Sequence, residues 1–157
     1  KTHLGFWLTK IIYAGFFVVL PIEMVGFTHF IIGYSVFLFT TGLYISTVFQ
    51  LAHAVEDTHF VDPTNMPVLE NDWAVHQVRT TSNFGSRSKL LSFLTGGLNQ
   101  QVEHHLFPKI SHIHYPNLSL IVKDTCTRHG LVYLEHPTFF HAVASHVRLL
   151  YNLGRNK

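Results

Sequence analysis

Phe30-Ile31-Ile32-Gly33-Tyr34-Ser35-Val36-Phe37-Leu38-Phe39-Thr40-Thr41-Gly42-Leu43-Tyr44-Ile45-Ser46-Thr47-Val48-Phe49-Gln50-Leu51 carries no charged residue and is rich in Ile, Phe, Val, Leu and Gly. About 20 apolar residues in a row are enough for a helix to cross a bilayer, and this stretch meets that length. Upstream, residues 6–22 are apolar apart from Thr9 and Lys10. That segment is marginal as a span, and Lys10 can reach the interface by snorkelling. Pro21 and Glu23-Met24-Val25-Gly26 separate the two stretches, so residues 6–53 are predicted to form a transmembrane helical hairpin. The turn holds no Lys or Arg, whereas Lys1 and Lys10 flank the entry and Arg79, Arg87 and Lys89 follow the exit. The positive-inside rule then puts both ends in the cytoplasm. The alternative, a pair of buried helices in a soluble protein, is disfavoured because uncharged runs this long are rarely soluble core.

The composition agrees. Hydrophobic residues make up 47% of the 157 residues and charged residues 13%, against roughly 25% charged in soluble domains. The 14 Phe are concentrated in the first sixty positions. A net charge of +2 without any Lys/Arg run gives no reason to expect a nucleic-acid partner. The single cysteine, Cys126, excludes an internal disulfide framework and a cysteine-based zinc site; it is read as a small buried apolar residue. No cleavable signal peptide is visible, and a start at Lys1 reads as a fragment.

From Glu56 the sequence turns polar, and Asp57 through Asp72 reads as an exposed loop. A helix is predicted from Trp73 to about Thr81 with Asp72 as its cap. Residues 90–98 form a short apolar segment, too short to span. A helix from Pro116 to about His129 should end at Gly130, and residues 131–134 read as a short extended piece. Thr138 should cap a last helix ending at Gly154. Residues 54–157 thus form a helical cap.

Thirteen histidines are too many for a generic fold. The octapeptide Gln101-Val102-Glu103-His104-His105-Leu106-Phe107-Pro108 carries two of them side by side. Imidazole is the commonest side-chain metal ligand, and adjacent positions on a helix point about 100° apart. The pair therefore suits two metals, or one beside a helix distortion, better than a lone tetrahedral zinc. Gln101 lies three and four residues before them, on a shared face. It is read as a weak ligand, a partner of metal-bound water or a support for the ligands. Glu103 should point elsewhere.

At this octapeptide the chain resembles the membrane fatty-acid desaturases, in their front-end branch, where the third histidine box reads Gln-x-x-His-His. The resemblance extends through Phe49-Gln50-Leu51-Ala52-His53, Trp73 to Thr81 and Phe107 to Pro116. It makes residues 1–157 the C-terminal part of one desaturase domain. The fold it implies is all-α and integral to the membrane, a transmembrane hairpin plus a cytoplasmic cap carrying part of a histidine-rich di-iron site. His53 corresponds to a histidine that ligates iron in the family. Many members place an Asn four residues earlier; here that position is Phe49, and Gln50 is the substitute, acting through water. His53, His104 and His105 are the expected iron ligands, and with Gln101 the expected catalytic set. His76, Arg79, Arg87 and Lys89 are candidate contacts for a substrate headgroup, with ordinary solvated or structural roles the alternative. His112 and His114 are expected to support rather than ligate. His59, His129, His136, His141 and His146 are expected at the surface or in packing, and His3 and His29 at the membrane interface.

The resemblance implies O2-dependent insertion of a cis double bond into an acyl chain held as CoA thioester or phospholipid ester. It implies two iron ions, and cytochrome b5 or ferredoxin as external electron donor. Nitrogen-rich ligation suits iron, though also zinc and copper. The related alternatives are a membrane di-iron hydroxylase and a non-catalytic zinc-binding membrane protein. The family's first two histidine boxes have no counterpart here, so residues 1–157 alone are expected to be inactive. The location implied is a bacterial inner membrane, or the endoplasmic reticulum of a eukaryote.

Overall fold

The computed structural model describes residues 2–58 and 72–155. The chain divides into two units, Lys1–Ile45 and Ser46–Lys157.

In the first unit, α1 (Thr2–Ala14), a π turn (Gly15–Val19) and α2 (Leu20–Val25) follow one another without a break in the helix. The Leu20 N–H reaches back to the Gly15 carbonyl. That widened turn comes just before Pro21, which has no N–H to donate and whose ring crowds the preceding turn. The helix therefore passes through Pro21 instead of stopping at it. The expected four-residue turn shrinks to one residue, Gly26, at φ 81° and ψ 155°. Only glycine adopts such a conformation without strain. The next helix, α3 (Phe27–His53), begins at once, and the Phe30 N–H bonds the Gly26 carbonyl at 3.0 Å.

Residues His3–Val25 and Phe27–His53 are both long and apolar enough to cross a membrane. Their side chains face outward: Leu4 is 78% exposed, Met24 74% and Phe39 73%. Two helices buried in a soluble core would hide these residues. Apolar surface this continuous calls for cover by lipid or protein. At 1.5 Å per residue α3 is about 40 Å long, some 10 Å more than a hydrocarbon core of about 30 Å.

The second unit takes in the last turns of α3, then α4 (Trp73–Thr80), β1 (Asn83–Phe84), α5 (Lys89–Leu94) and α6 (Gln101–Leu106). A 3-10 turn (His112–His114), α7 (Tyr115–Arg128), β2 (Glu135–His136) and α8 (Phe139–Arg155) complete it. One core joins Val48, Leu51, Ala52, Phe84 and Ala142. A second joins Val78, Val102, Val122 and Cys126, so Cys126 is the buried apolar residue expected.

The all-α expectation misses one feature. β1 and β2 pair in parallel, Asn83 with Glu135 and Phe84 with His136. Residues 82–85 are buried, so their backbone groups need partners. Ser82 N–H bonds the Ala52 carbonyl, Asn83 N–H that of Leu134, Phe84 N–H that of Asn99 and Gly85 N–H that of His136. Four short hydrogen bonds tie α3, β2 and the turn before α6 to one central thread.

Local signals largely match. Thr138 Oγ1 accepts the His141 N–H at 3.1 Å, capping α8. Gly130, at φ 67°, follows α7. Asp72 precedes α4 but makes no side-chain cap, and α8 continues past Gly154 to Arg155. Gly97 is required twice over. Its φ is +82°, and a Cβ there would lie 2.4 Å from the Cβ of His112.

His136 is buried and shares a 3.1 Å Nδ1–Nδ1 hydrogen bond with His141. Burial first, then the charge of His141, pushes its pKa below the ordinary value, against the pull of Asp57 and Glu56. The fold therefore holds His136 neutral. Its contribution is present above the ordinary histidine pKa of about 6.5 and is lost as pH falls below it, where the unfolded chain takes up the proton first. The melting temperature of the full-length protein should drop between pH 7.5 and 5.5. The slope should flatten in His136→Gln.

Candidate metal centre

Three helices of the second unit bring the site together. The end of α3 carries His53, α4 supplies Gln77 and the Thr80 carbonyl, and α6 carries Gln101, His104 and His105. His53 Nδ1 lies 3.2 Å from the Thr80 carbonyl oxygen. A carbonyl only accepts, so Nδ1 holds the proton and Nε2 keeps its lone pair. His105 Nδ1 donates to Gln77 Oε1 at 2.6 Å, which leaves its Nε2 free in the same way. Both Nε2 atoms meet the Gln101 carboxamide: Gln101 Nε2 is 3.2 Å from His53 Nε2 and 3.1 Å from His105 Nε2. The two rings stand 5.0 Å apart.

This is how metal-binding histidines are commonly held: one ring nitrogen is fixed by an acceptor and the other is offered to the ion. Burial, then the charges that His53 and His104 would carry, lower the His105 pKa to about 4. At neutral pH it is the neutral base that a metal requires. The donor set fits a metal that accepts imidazole nitrogen, as iron does. It is a partial set, because among the described residues no three His, Cys, Asp or Glu side chains group to hold one ion.

His104 faces elsewhere. Its Nδ1 lies 3.3 Å from the Tyr115 hydroxyl, and its ring is 5.8 Å from that of His105 at 70°. The divergence is the one that neighbouring helical positions impose.

α6 is fixed from its far side. Glu103 is fully buried, and its carboxylate accepts from Asn83 Nδ2 at 2.7 Å and from the Tyr133 hydroxyl at 2.8 Å. Asn83 Oδ1 accepts the Val102 N–H at 2.9 Å. Burial raises the Glu103 pKa, and the bonds from Asn83 and Tyr133 oppose that rise. Burial and the neighbouring Glu103 push the Tyr133 phenol strongly upward, so it stays a donor.

Of the other candidates, Gln50 is exposed and makes no side-chain hydrogen bond among the described residues. His76 is half-buried beside Gln77, and it is Gln77 that touches the site. Arg79 lines a depression of about 250 Å³ with Gly130 and Val132. Arg87 and Lys89 border a different cleft of about 540 Å³. The four candidate headgroup residues thus fall at three separate places. His112 and His114 are exposed in the 3-10 turn, His146 donates to the Ala54 carbonyl at 2.6 Å, and His136 is a buried packing residue. His59 and most of the polar loop lie outside the described residues. Sequence reading missed Gln77, Asn83, Tyr115 and Tyr133. Their partners lie far along the chain, and no spacing rule reaches them.

The family model for fatty acid desaturase matches residues 1–137, and the chain belongs to that family. Within it, the chain is similar to acyl-lipid desaturases of the front-end type, the branch to which Gln101, His104 and His105 pointed. It is 42% identical to the sn-1 linoleoyl-lipid 6-desaturase of Synechocystis, over 93% of this chain and 41% of the relative. It is 39% identical to the enzyme of the same name from Arthrospira platensis, over 89% of this chain and 38% of the relative. It is 33% identical to the acyl-lipid (8-3)-desaturase of Mortierella alpina, over 95% of this chain and 33% of the relative. The chain therefore spans about two fifths or less of the length of these relatives. No solved structure matches it.

Proposed function

We propose that the protein containing this chain is an integral membrane desaturase that inserts a cis double bond into the acyl chain of a membrane lipid. The names of its relatives favour a lipid ester over a CoA thioester. The reading needs O2 and electrons from cytochrome b5 or ferredoxin. It also needs the hairpin of α1–α3 in the bilayer, with residues 54–157 on the cytoplasmic face.

The observation that carries it is the meeting of His53 Nε2, His105 Nε2 and Gln101 Nε2, with both histidine Nδ1 atoms tied down. His53, His105 and His104 would hold the two irons, and Gln101 would act as a weak ligand or orient bound water. When bound, iron supplies the oxidising power that an unactivated C–H bond requires. This chain's residues do the positioning: the Thr80 carbonyl and Gln77 fix the ring orientations, and burial keeps His105 unprotonated.

The test is to express the full-length protein in a host without desaturases and compare its fatty-acid profile with that of a His104→Ala/His105→Ala variant. A new unsaturated acid that vanishes in the variant supports the reading. A hydroxylated acid would identify the hydroxylase instead, and a folded protein that retains only zinc would identify a binding role.

Gln77 gives a finer check. Gln77→Leu removes the acceptor for His105 Nδ1–H and should lower iron affinity about 10- to 100-fold, read by chelator titration. Gln77→Glu keeps an acceptor and should retain most of the affinity.

A further inference from the structure

We propose that the 540 Å³ cleft bordered by Arg87 and Lys89 is an oxyanion site, built for a phosphate or sulfate ester at the polar end of a lipid. Buried donors without a partner are rare in folded proteins, and two of them belong to residues that line this one cleft. Gln100 is 1% exposed and its Nε2 has no hydrogen-bond partner among the described residues. The Ser86 hydroxyl is buried and equally unpartnered. The Gln100 backbone is pinned by a bridge to Asn83 and by its N–H bond to the Gly97 carbonyl. The carboxamide nitrogen can only donate and the hydroxyl can donate, so both can serve a ligand that accepts.

The charges agree. Arg87 and Lys89 are exposed and make no ion pair or hydrogen bond among the described residues. Among the described residues the cleft's one carboxylate, Glu135, is already paired with Lys123 at 3.0 Å. Among the described residues, two uncommitted cations and two residues with orphaned polar groups line a cleft whose one carboxylate is already paired. Guanidinium and ammonium groups bind such oxyanions by charge-assisted hydrogen bonds.

Part of the wall is apolar: Phe93 is 81% exposed, Leu120 70% and Ile113 69%, and all three line the cleft. An oxyanion pocket with a greasy rim suits a headgroup attached to a lipid better than a free ion. The volume lies in the ordinary range for small-molecule sites. Gln100, which lines the cleft, immediately precedes Gln101 of the metal centre in sequence. The choice of a lipid as carrier rests on the acyl-lipid reading above; the oxyanion chemistry does not.

The test is calorimetric titration of the full-length protein in detergent. The probes are dioctanoyl phosphatidylglycerol, dioctanoylglycerol, which lacks the phosphate, and inorganic phosphate. The phosphate-bearing lipid should bind at least tenfold more tightly than the diacylglycerol. Arg87→Gln/Lys89→Gln should weaken it about tenfold or more, as expected for hydrogen bonds to charge. Gln100→Leu keeps the side-chain volume and removes an unpaired polar atom, so it should melt no lower than the parent while binding the lipid more weakly. Phosphate that displaces the lipid places the ester in the cleft. Phosphate that binds as tightly as the lipid supports the same chemistry with a soluble source. Equal affinity for the two lipids, or unchanged affinity in both variants, overturns the proposal. No turnover is measured, so this result and the desaturase test can fail separately.

Discussion

Under the proposed desaturase function, His105→Ala in the full-length protein should strip iron from the site and reduce double-bond formation by more than about 100-fold, beyond the 10- to 100-fold range expected of orienting partners. His105 is held on both ring nitrogens by side chains, Gln77 on one and Gln101, shared with His53, on the other. Removing it takes away a lone pair that the fold already holds in the neutral state. It also leaves Gln77 Oε1 without its donor, but His105 is only half-buried and water can replace the ring. The protein should therefore stay folded while losing metal. Iron content by elemental analysis, the circular dichroism melt and the fatty-acid profile read the three quantities separately. A variant with normal iron and no product would move His105 from ligand to some later role. A variant with normal iron and normal product would remove it from the centre altogether.

The parts of this molecule that sequence could reach are those whose signal is local. The span from Phe30 to Leu51 is legible because nothing interrupts its apolarity, and α3 covers it. Thr138 and Gly130 are legible because capping and chain reversal depend on one or two neighbours. Gln101 and His105 were singled out from the adjacent histidines and their spacing as well as by resemblance, and His53 by resemblance; the geometry adds the acceptor on the Nδ1 of His53 and of His105. Gln77 lies 28 residues from the ring that it orients, and Asn83 lies 20 residues from Glu103 and 50 from Tyr133. No helix or strand period connects such positions; only the threading of residues 82–85 through the core does. The same threading explains why a two-residue β pair escaped an all-α reading. Gly26 was taken as part of a longer turn because Pro21 ordinarily ends a helix, and here a π turn carries the chain past it.

Asn83→Ala should be among the most damaging substitutions in the second unit, costing about 3–5 kcal/mol. Asn83 is fully buried and serves three partners at once. Its amide nitrogen donates to the Glu103 carboxylate and lies 2.6 Å from the Tyr133 hydroxyl, and its oxygen accepts the Val102 N–H. Alanine leaves Glu103 short of a donor in a buried place and orphans a backbone N–H. A hydrogen bond to a charged group contributes about 1.5–3 kcal/mol, and an unsatisfied buried group costs about 1–3 kcal/mol. Tyr133→Phe is the graded comparison. It removes one donor to Glu103 and one contact of the Asn83 amide, and leaves the Asn83 bonds to Glu103 and to the Val102 N–H in place, so it should cost about 1.5–3 kcal/mol. Melting of the two full-length variants should rank them in that order. Asn83→Ala should also lose activity beyond its loss of stability, because the first turn of α6 that it fixes is the turn that carries Gln101. If Asn83→Ala melts like the parent, Glu103 does not depend on this clamp, and the rigidity of α6 must come from the apolar contacts of Val102 alone.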